Sequence, residues 1–245
     1  MITSKDNATF KNLMKLHQKK YRQATKTFLI EGAHLVSEAI QAGFASEILM
    51  CVEEPNDEND ARNIKTTYLN RNLFEKLALT KTPQNIMAVC KMKELEIVGH
   101  NRLLLLDNIQ DPGNLGTLIR SALAFSFDGV ILSETTVDVY NEKVIRATQG
   151  AIFNIPIIRR NLPQYMLDLK SKDVHVYGTS VKDAQFLKKI GAQSKMAFVL
   201  GSEGAGVSDE VLALVDENVM IEMGAFSESL NVAVAGGIIM HYFSN

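Results

Sequence analysis

Along the chain, short continuous apolar runs alternate with apolar residues at helical spacing. Phe28-Leu29-Ile30 has the character of a strand. Residues 32–42 then place Leu35, Val36, Ala39 and Ile40 at helical spacing, closed by Gly43. Residues 48–52 and 86–90 are further strand candidates, with a helical pattern over 72–79 between them. Together these predict a small α/β domain over residues 1–92. The next stretch, KMKELEIVGHN, is more polar, and residues 93–101 are expected to be a linker.

A second unit is predicted over residues 102–245. It opens with four successive leucines, Leu103 to Leu106, the pattern of a strand buried on both faces of a parallel sheet. A helical segment at 115–125 and a strand at 129–132 follow. Further strands are expected at 174–178, 197–200 and 218–221, with a closing helical pattern at 230–242. Strands alternating with helices predict a doubly wound parallel sheet. Ligands of such sheets sit at the carboxyl ends of the strands. Three loops there carry unusual residues: 107–120 (DNIQDPGNLGTLIR), 200–208 (LGSEGAGVS) and 221–231 (IEMGAFSESLN).

Composition narrows the classes. With 46% hydrophobic and 22% charged residues, the chain reads as folded rather than disordered. Its 26 Lys+Arg against 28 Asp+Glu give a net charge of −2, which excludes a uniformly basic nucleic-acid binder but not a local basic surface. Such a surface is concentrated in residues 5–26, where Lys5, Lys11, Lys15, Lys19, Lys20, Arg22 and Lys26 face one acid, Asp6. It reads either as a solvated helix face or as a phosphate-contacting edge. The acidic stretch 53–60 reads as an exposed loop. No apolar run approaches the roughly 18–20 residues that span a bilayer. The first residues show no apolar leader, so a cytoplasmic protein is expected. Cys51 and Cys90 lie in apolar contexts and read as buried thiols. The five histidines show no metal spacing, so no metal is expected.

In the first loop, Asn114 is a candidate helix cap or a functional amide, and Arg120 sits in an otherwise apolar helix where it needs solvent or an anion. In the second, Gly201, Gly204 and Gly206 surround Glu203 and would let a ligand approach the backbone. In the third, Ser227, Glu228, Ser229 and Asn231 precede an apolar helix that Ser229 could cap. Neither a dinucleotide fingerprint near the first strand nor a P-loop is present.

The stretches DPGNLGTLIRSALAF, LGSEGAGVS and IEMGAFSESLNVAVAGGIIMHY, in this order, resemble the three motifs of the SpoU (TrmH) group of SPOUT RNA methyltransferases. GAIFNIPI (residues 150–157) is similar to the segment between the first two. The resemblance implies a parallel-sheet α/β domain with a deep trefoil knot, S-adenosyl-L-methionine as cofactor, a homodimer, and methylation of the ribose 2′-hydroxyl of rRNA or tRNA. It implies a donor pocket built by backbone groups at Leu200, Gly201, Ile221, Met223 and Leu230. It also implies catalytic roles: Arg120 binding phosphate and stabilising the 2′-oxygen, Asn114 orienting Arg120 or the RNA, Glu203 holding that network, and Ser229 and Asn231 completing the site. FLIEGAHLVSEAI and TPQNIMAV resemble the small α/β, ribosomal-protein-like RNA-binding domain that precedes the knot in many members. That favours rRNA over tRNA and makes Lys11, Lys15, Lys19, Lys20 and Arg22 candidate RNA contacts. Phe44 and Phe74 read as core, with base stacking as the alternative. A non-catalytic ribosome-associated RNA-binding protein is the competing reading.

Overall fold

The computed structural model describes residues 1–52, 64–191, 193–224 and 229–244. The acidic stretch 53–60, and Ser227 and Glu228 of the third loop, lie outside the described residues. The chain divides into two units, residues 1–93 with 140–153, and residues 94–139 with 154–245.

Short apolar strands, several of them buried on both faces, build the first unit. It contains α1 (Ala8–Lys15), α2 (Lys19–Thr25), β1 (Thr27–Glu31), α3 (Ala33–Gln41), β2 (Ala45–Cys51), β3 (Lys65–Leu69), α4 (Arg71–Leu77) and β4 (Ile86–Lys91). The strands form one sheet in the order β1-β4-β2-β3, with β4 antiparallel to both neighbours and β2 parallel to β3. Leu29, Leu49, Met87 and Val89 point to one face and bury Phe10 and Leu13 of α1 and Phe74 of α4. Phe44 and Phe74 are core residues. Both cysteines are buried, and burial pushes the Cys90 thiol up to about 12. The strand β3 (KTTYL) and the two N-terminal helices had no apolar run to announce them.

The second unit begins with β5 (Arg102–Leu106), α5 (Pro112–Ala124) and β6 (Gly129–Leu132). The chain then passes through α6 (Glu142–Thr148), which belongs to the first unit. The expected continuous domain over 102–245 thus gives residues 140–153 to its neighbour. The reason is apolar: Val144, Ile145 and Phe153 are buried, and the Phe28 ring lies 4.7 Å from Tyr140 while Phe44 lies 5.2 Å from Phe153. The second unit resumes with β7 (Ile157–Arg159), α7 (Leu162–Lys170), β8 (His175–Thr179), β9 (Ala184–Phe186), β10 (Met196–Leu200), α8 (Asp209–Leu212), β11 (Glu217–Met220) and α9 (Val232–Tyr242). Its seven described strands are all parallel, in the order β7-β6-β5-β10-β8-β11-β9. Leu103 to Leu106 are completely buried in its centre, as expected of a strand covered on both faces. The last helix, α9, returns to pack along α5, with Gly236 against Leu118 and Leu200.

Candidate functional site

The first loop leaves β5 at Asp107, which is buried and fastens it to the second loop. The Asp107 Oδ2 accepts the Ser208 N–H at 2.9 Å, and its own N–H donates to the Leu200 carbonyl at 2.8 Å. Asp111 then caps α5 by accepting the Asn114 N–H at 2.8 Å, with Pro112 at the first helical position. The capping role weighed for Asn114 therefore belongs to Asp111, and the Asn114 side chain is left for other work.

That side chain bridges the other two loops. Its amide NH2 donates to the Glu203 carboxylate, and its Oδ1 accepts from the Asn231 NH2 at 3.0 Å. Asn231, rather than Ser229, caps α9: its Oδ1 accepts the N–H groups of Ala233 and Val234 at 2.9 and 3.3 Å. The cap fixes which way both amides point. With the Asn231 oxygen committed to the helix, its nitrogen must face Asn114, whose nitrogen must then face Glu203. The result is a one-directional chain of dipoles from the positive end of α9 to an exposed carboxylate.

Glu203 sits at the tip of a tight turn closed by reciprocal backbone hydrogen bonds between Ser202 and Gly206, at 3.0 and 2.9 Å. A Cβ built at Gly201 would lie inside the backbone of Gly206, so only glycine fits there. Arg120 stands on α5, six residues beyond Asn114, exposed and without a hydrogen bond or ion pair to the described residues. Thus Asn114, Glu203 and Asn231 are brought into one network, and Arg120 is not part of it.

Beside this network lies a cleft of about 380 Å³, within the range of roughly 300–1,000 Å³ typical of small-molecule sites. Ile221, Met223, Ser229 and Leu230 line it, whereas the expected Leu200 and Gly201 do not. Leu200 is buried, with its carbonyl already accepting from Asp107, and Gly201 serves loop closure. The sequence reading missed Thr179 at the end of β8, Ser180 and Lys182 just after it, and Asp209 at the start of α8. The rule about strand carboxyl ends, applied to β8 as well, would have found the first three. Much of the lining is apolar, including Val207, Leu212, Val219 and Ile239, and only Lys182 and Asp209 among the lining residues are ionised. Among the described residues no cluster of metal-ligating side chains exists, and no helix is long and apolar enough to cross a membrane.

In the first unit, the candidate RNA contacts separate. Lys11, Lys15, Lys19 and Lys20 are exposed along α1 and α2. Lys11 pairs with Asp6 at 3.0 Å, and Lys15 donates to Asn12 at 3.0 Å. The ammonium groups of Lys15 and Lys20 lie 5.8 and 4.8 Å from the ring centre of Tyr21, an aromatic the sequence reading passed over. Arg22 is a correction. It is buried, and its guanidinium donates to the carbonyls of Leu16 and His17 at 3.0 and 2.8 Å, beyond the last turn of α1. It holds α2 to α1 and cannot reach RNA.

Family models match two stretches of the chain. Residues 101–241 match the SpoU rRNA Methylase family, and residues 7–88 match an MRM3-like substrate binding domain. A 23S rRNA (guanosine(2553)-2′-O)-methyltransferase, RlmP, of Bacillus subtilis is 42% identical over 98% of both chains. Among solved structures, a putative RNA methyltransferase of the TrmH family from Porphyromonas gingivalis superposes with a TM-score of 0.84 at 30% identity over 97% of each chain. The AdoMet-bound rRNA methyltransferase from Sinorhizobium meliloti superposes with a TM-score of 0.87 at 27% identity, over 98% of this chain and 95% of that one. The fold is therefore the α/β SPOUT fold with a small α/β domain ahead of it.

Proposed function

The chain belongs to the SpoU rRNA methylase family, and we propose that it transfers a methyl group from S-adenosyl-L-methionine to the ribose 2′-hydroxyl of rRNA. The observation that carries this reading is the Glu203–Asn114–Asn231 chain, built from all three loops and set beside the cleft. The cleft suits the donor: apolar walls for a base, and Lys182 and Asp209 for a zwitterionic end. Ile221, Met223, Ser229 and Leu230 would hold it together with those two residues. When bound, the donor supplies an electrophilic methyl group on a sulfonium.

This chain's own residues have two tasks. One is to orient the 2′-oxygen, since alignment of reacting atoms supplies several kcal/mol of barrier reduction. The other is to carry the negative charge that grows on that oxygen. Arg120 serves the second by binding the adjacent phosphate and stabilising the oxyanion. It is not the base, because a guanidinium keeps its proton, which leaves phosphate or water as the acceptor. Asn114 acts through Glu203 and Asn231 rather than on Arg120 directly.

The lysines of α1 and α2 bind the RNA backbone, and the SpoU rRNA methylase match together with the 23S rRNA methyltransferase relative favours rRNA over tRNA. The activity of the Bacillus subtilis relative makes a guanosine of 23S-type rRNA the first target to test. Such work is done in the cytoplasm. A homodimer is supported by the apolar stripe of Val234, Ile238 and Tyr242 on α9, which are 52%, 39% and 42% exposed.

The test is methyl-labelled donor with the purified protein and RNA from a strain lacking it, fractionated into large rRNA, small rRNA and tRNA and digested to nucleosides. Label on a ribose of large rRNA is expected. Arg120→Ala should lower turnover by about 100-fold or more, the scale of losing an oxyanion donor, with donor affinity within threefold of wild type as judged by calorimetry. Label on a base would overturn the ribose assignment. Donor affinity falling in step with turnover would remove Arg120 from its role.

A further inference from the structure

Arg159, the last residue of the edge strand β7, makes an unusual set of contacts. Its Nη1 donates to the carbonyls of Ser133, Glu134 and Thr136, the latter two at 3.0 and 2.7 Å, and its Nη2 to Val137 at 2.9 Å. One guanidinium thus gathers four carbonyls of residues 133–137, in the loop that follows β6. Burial pulls its pKa down, opposed by the nearby carboxylates of Asp138 and Glu134.

The gathered loop in turn holds the loop that opens α5. The Ser133 Oγ accepts the Asn108 N–H at 2.9 Å. The Thr136 Oγ1 accepts the Ile109 N–H at 3.3 Å and donates to the Leu106 carbonyl at 3.1 Å. The Val137 N–H donates to Ile109 at 2.9 Å, and Gln110 donates to the Thr135 carbonyl at 2.9 Å. Asn108 sits at φ +55°, in the left-handed region that asparagine enters more readily than most side chains. Two residues beyond Ile109, Asp111 caps α5, the helix that carries Asn114 and Arg120.

We propose that Arg159 is a positioning residue for methyl transfer: by fixing the carbonyls of residues 133–137 it sets the course of residues 106–111 and so the placement of Asn114 and Arg120. A planar fork can satisfy four acceptors at once, whereas an ammonium is a point charge, so lysine is a poor substitute. The walls of the donor cleft come from other loops, so donor binding should stay intact when Arg159 is lost. The inference rests on the methyltransferase reading.

The experiment compares wild type, Arg159→Lys, Arg159→Met and Thr136→Val as full-length proteins. It reads single-turnover methyl transfer, donor affinity and amide hydrogen exchange. Transfer should fall about 10- to 100-fold in Arg159→Met, the scale of an ångström-level misplacement, with partial recovery in Arg159→Lys and donor affinity within threefold. Exchange at residues 106–111 should quicken while that of β10 stays as in wild type. Thr136→Val keeps the guanidinium and removes one relay, so it carries the same test if Arg159→Met fails to fold. Unchanged transfer, unchanged exchange at 106–111, or donor affinity lost in step with transfer would overturn the inference. A wild type that methylates no RNA would overturn the functional reading instead, and the exchange result would still decide what Arg159 holds.

Discussion

At the carboxyl ends of β5 and β10, several polar side chains that matter are fixed by another residue. Asp107 holds Ser208, Asp111 holds Asn114, Asn114 joins Glu203 to Asn231, and Asn231 holds the start of α9. On α1 and α2 the picture is the reverse. Lys19 stands exposed, and Lys15 and Lys20 rest against a tyrosine ring. Chemistry on a small donor and one oxygen demands sub-ångström placement, which comes from mutual constraint. Holding a polyanion demands only local charge, which tolerates mobile side chains. The cleft should therefore fail abruptly when one part is changed, and the basic edge should weaken by degrees.

The harshest test of that contrast is Gly201→Ala. The added methyl would meet the backbone of Gly206 rather than the end of a flexible side chain, so nothing nearby can yield cheaply. A loss of about 3 kcal/mol or more is expected, together with loss of donor binding, read by denaturant melts and calorimetry. Gly236→Ala makes a useful counterpart, because its neighbours are the side-chain ends of Leu118 and Leu200. A Gly201→Ala protein as stable as wild type would break the claim that the cleft is intolerant.

Next in size is Asn114→Asp, which sets a carboxylate against Glu203. At about pH 8 both are ionised and repel; as pH falls the pair shares one proton, and the protonated member can restore the hydrogen bond. Transfer should be about 10- to 100-fold below wild type at high pH, and the ratio of variant to wild type should climb on acidification. A flat ratio would mean that the amide chain does not govern the reaction.

Arg22→Met sharpens the other side. Arg22 lies inside the basic run yet caps carbonyls, so it should behave like the cleft and unlike its neighbours. The expected cost is about 1–3 kcal/mol of stability, with the salt dependence of RNA binding unchanged.

This residue also shows where a sequence can mislead. Charge type and spacing made Arg22 one of a set, and only packing separates it. Four leucines in a row announced β5, because a strand buried on both faces needs no polar positions. The three loops were legible for a related reason: turns and close backbone approach restrict residue choice, as at Pro112 and Gly201. What was hidden depends on long-range partners. Nothing local says that Leu200 spends its carbonyl on Asp107, or that residues 140–153 bury Phe153 in the first unit. The end of β8 and the residues just after it were overlooked because Thr179, Ser180 and Lys182 carry no glycine signature.

The smallest effects belong to single lysines, and they test the contrast most finely. Lys19→Gln should weaken RNA binding only a few-fold and reduce the slope of log affinity against log salt by about 0.7–0.9, the value for one lost phosphate contact. Lys11→Gln should do less, because Lys11 already shares its charge with Asp6 at 3.0 Å. Removing Lys15, Lys19 and Lys20 together should then give nearly the sum of the separate slopes, since no hydrogen bond joins one to another. Filter binding over a salt series measures all of these. A triple variant far worse than that sum would show that the lysines act with Tyr21 as one constrained unit, and the edge would then resemble the cleft after all.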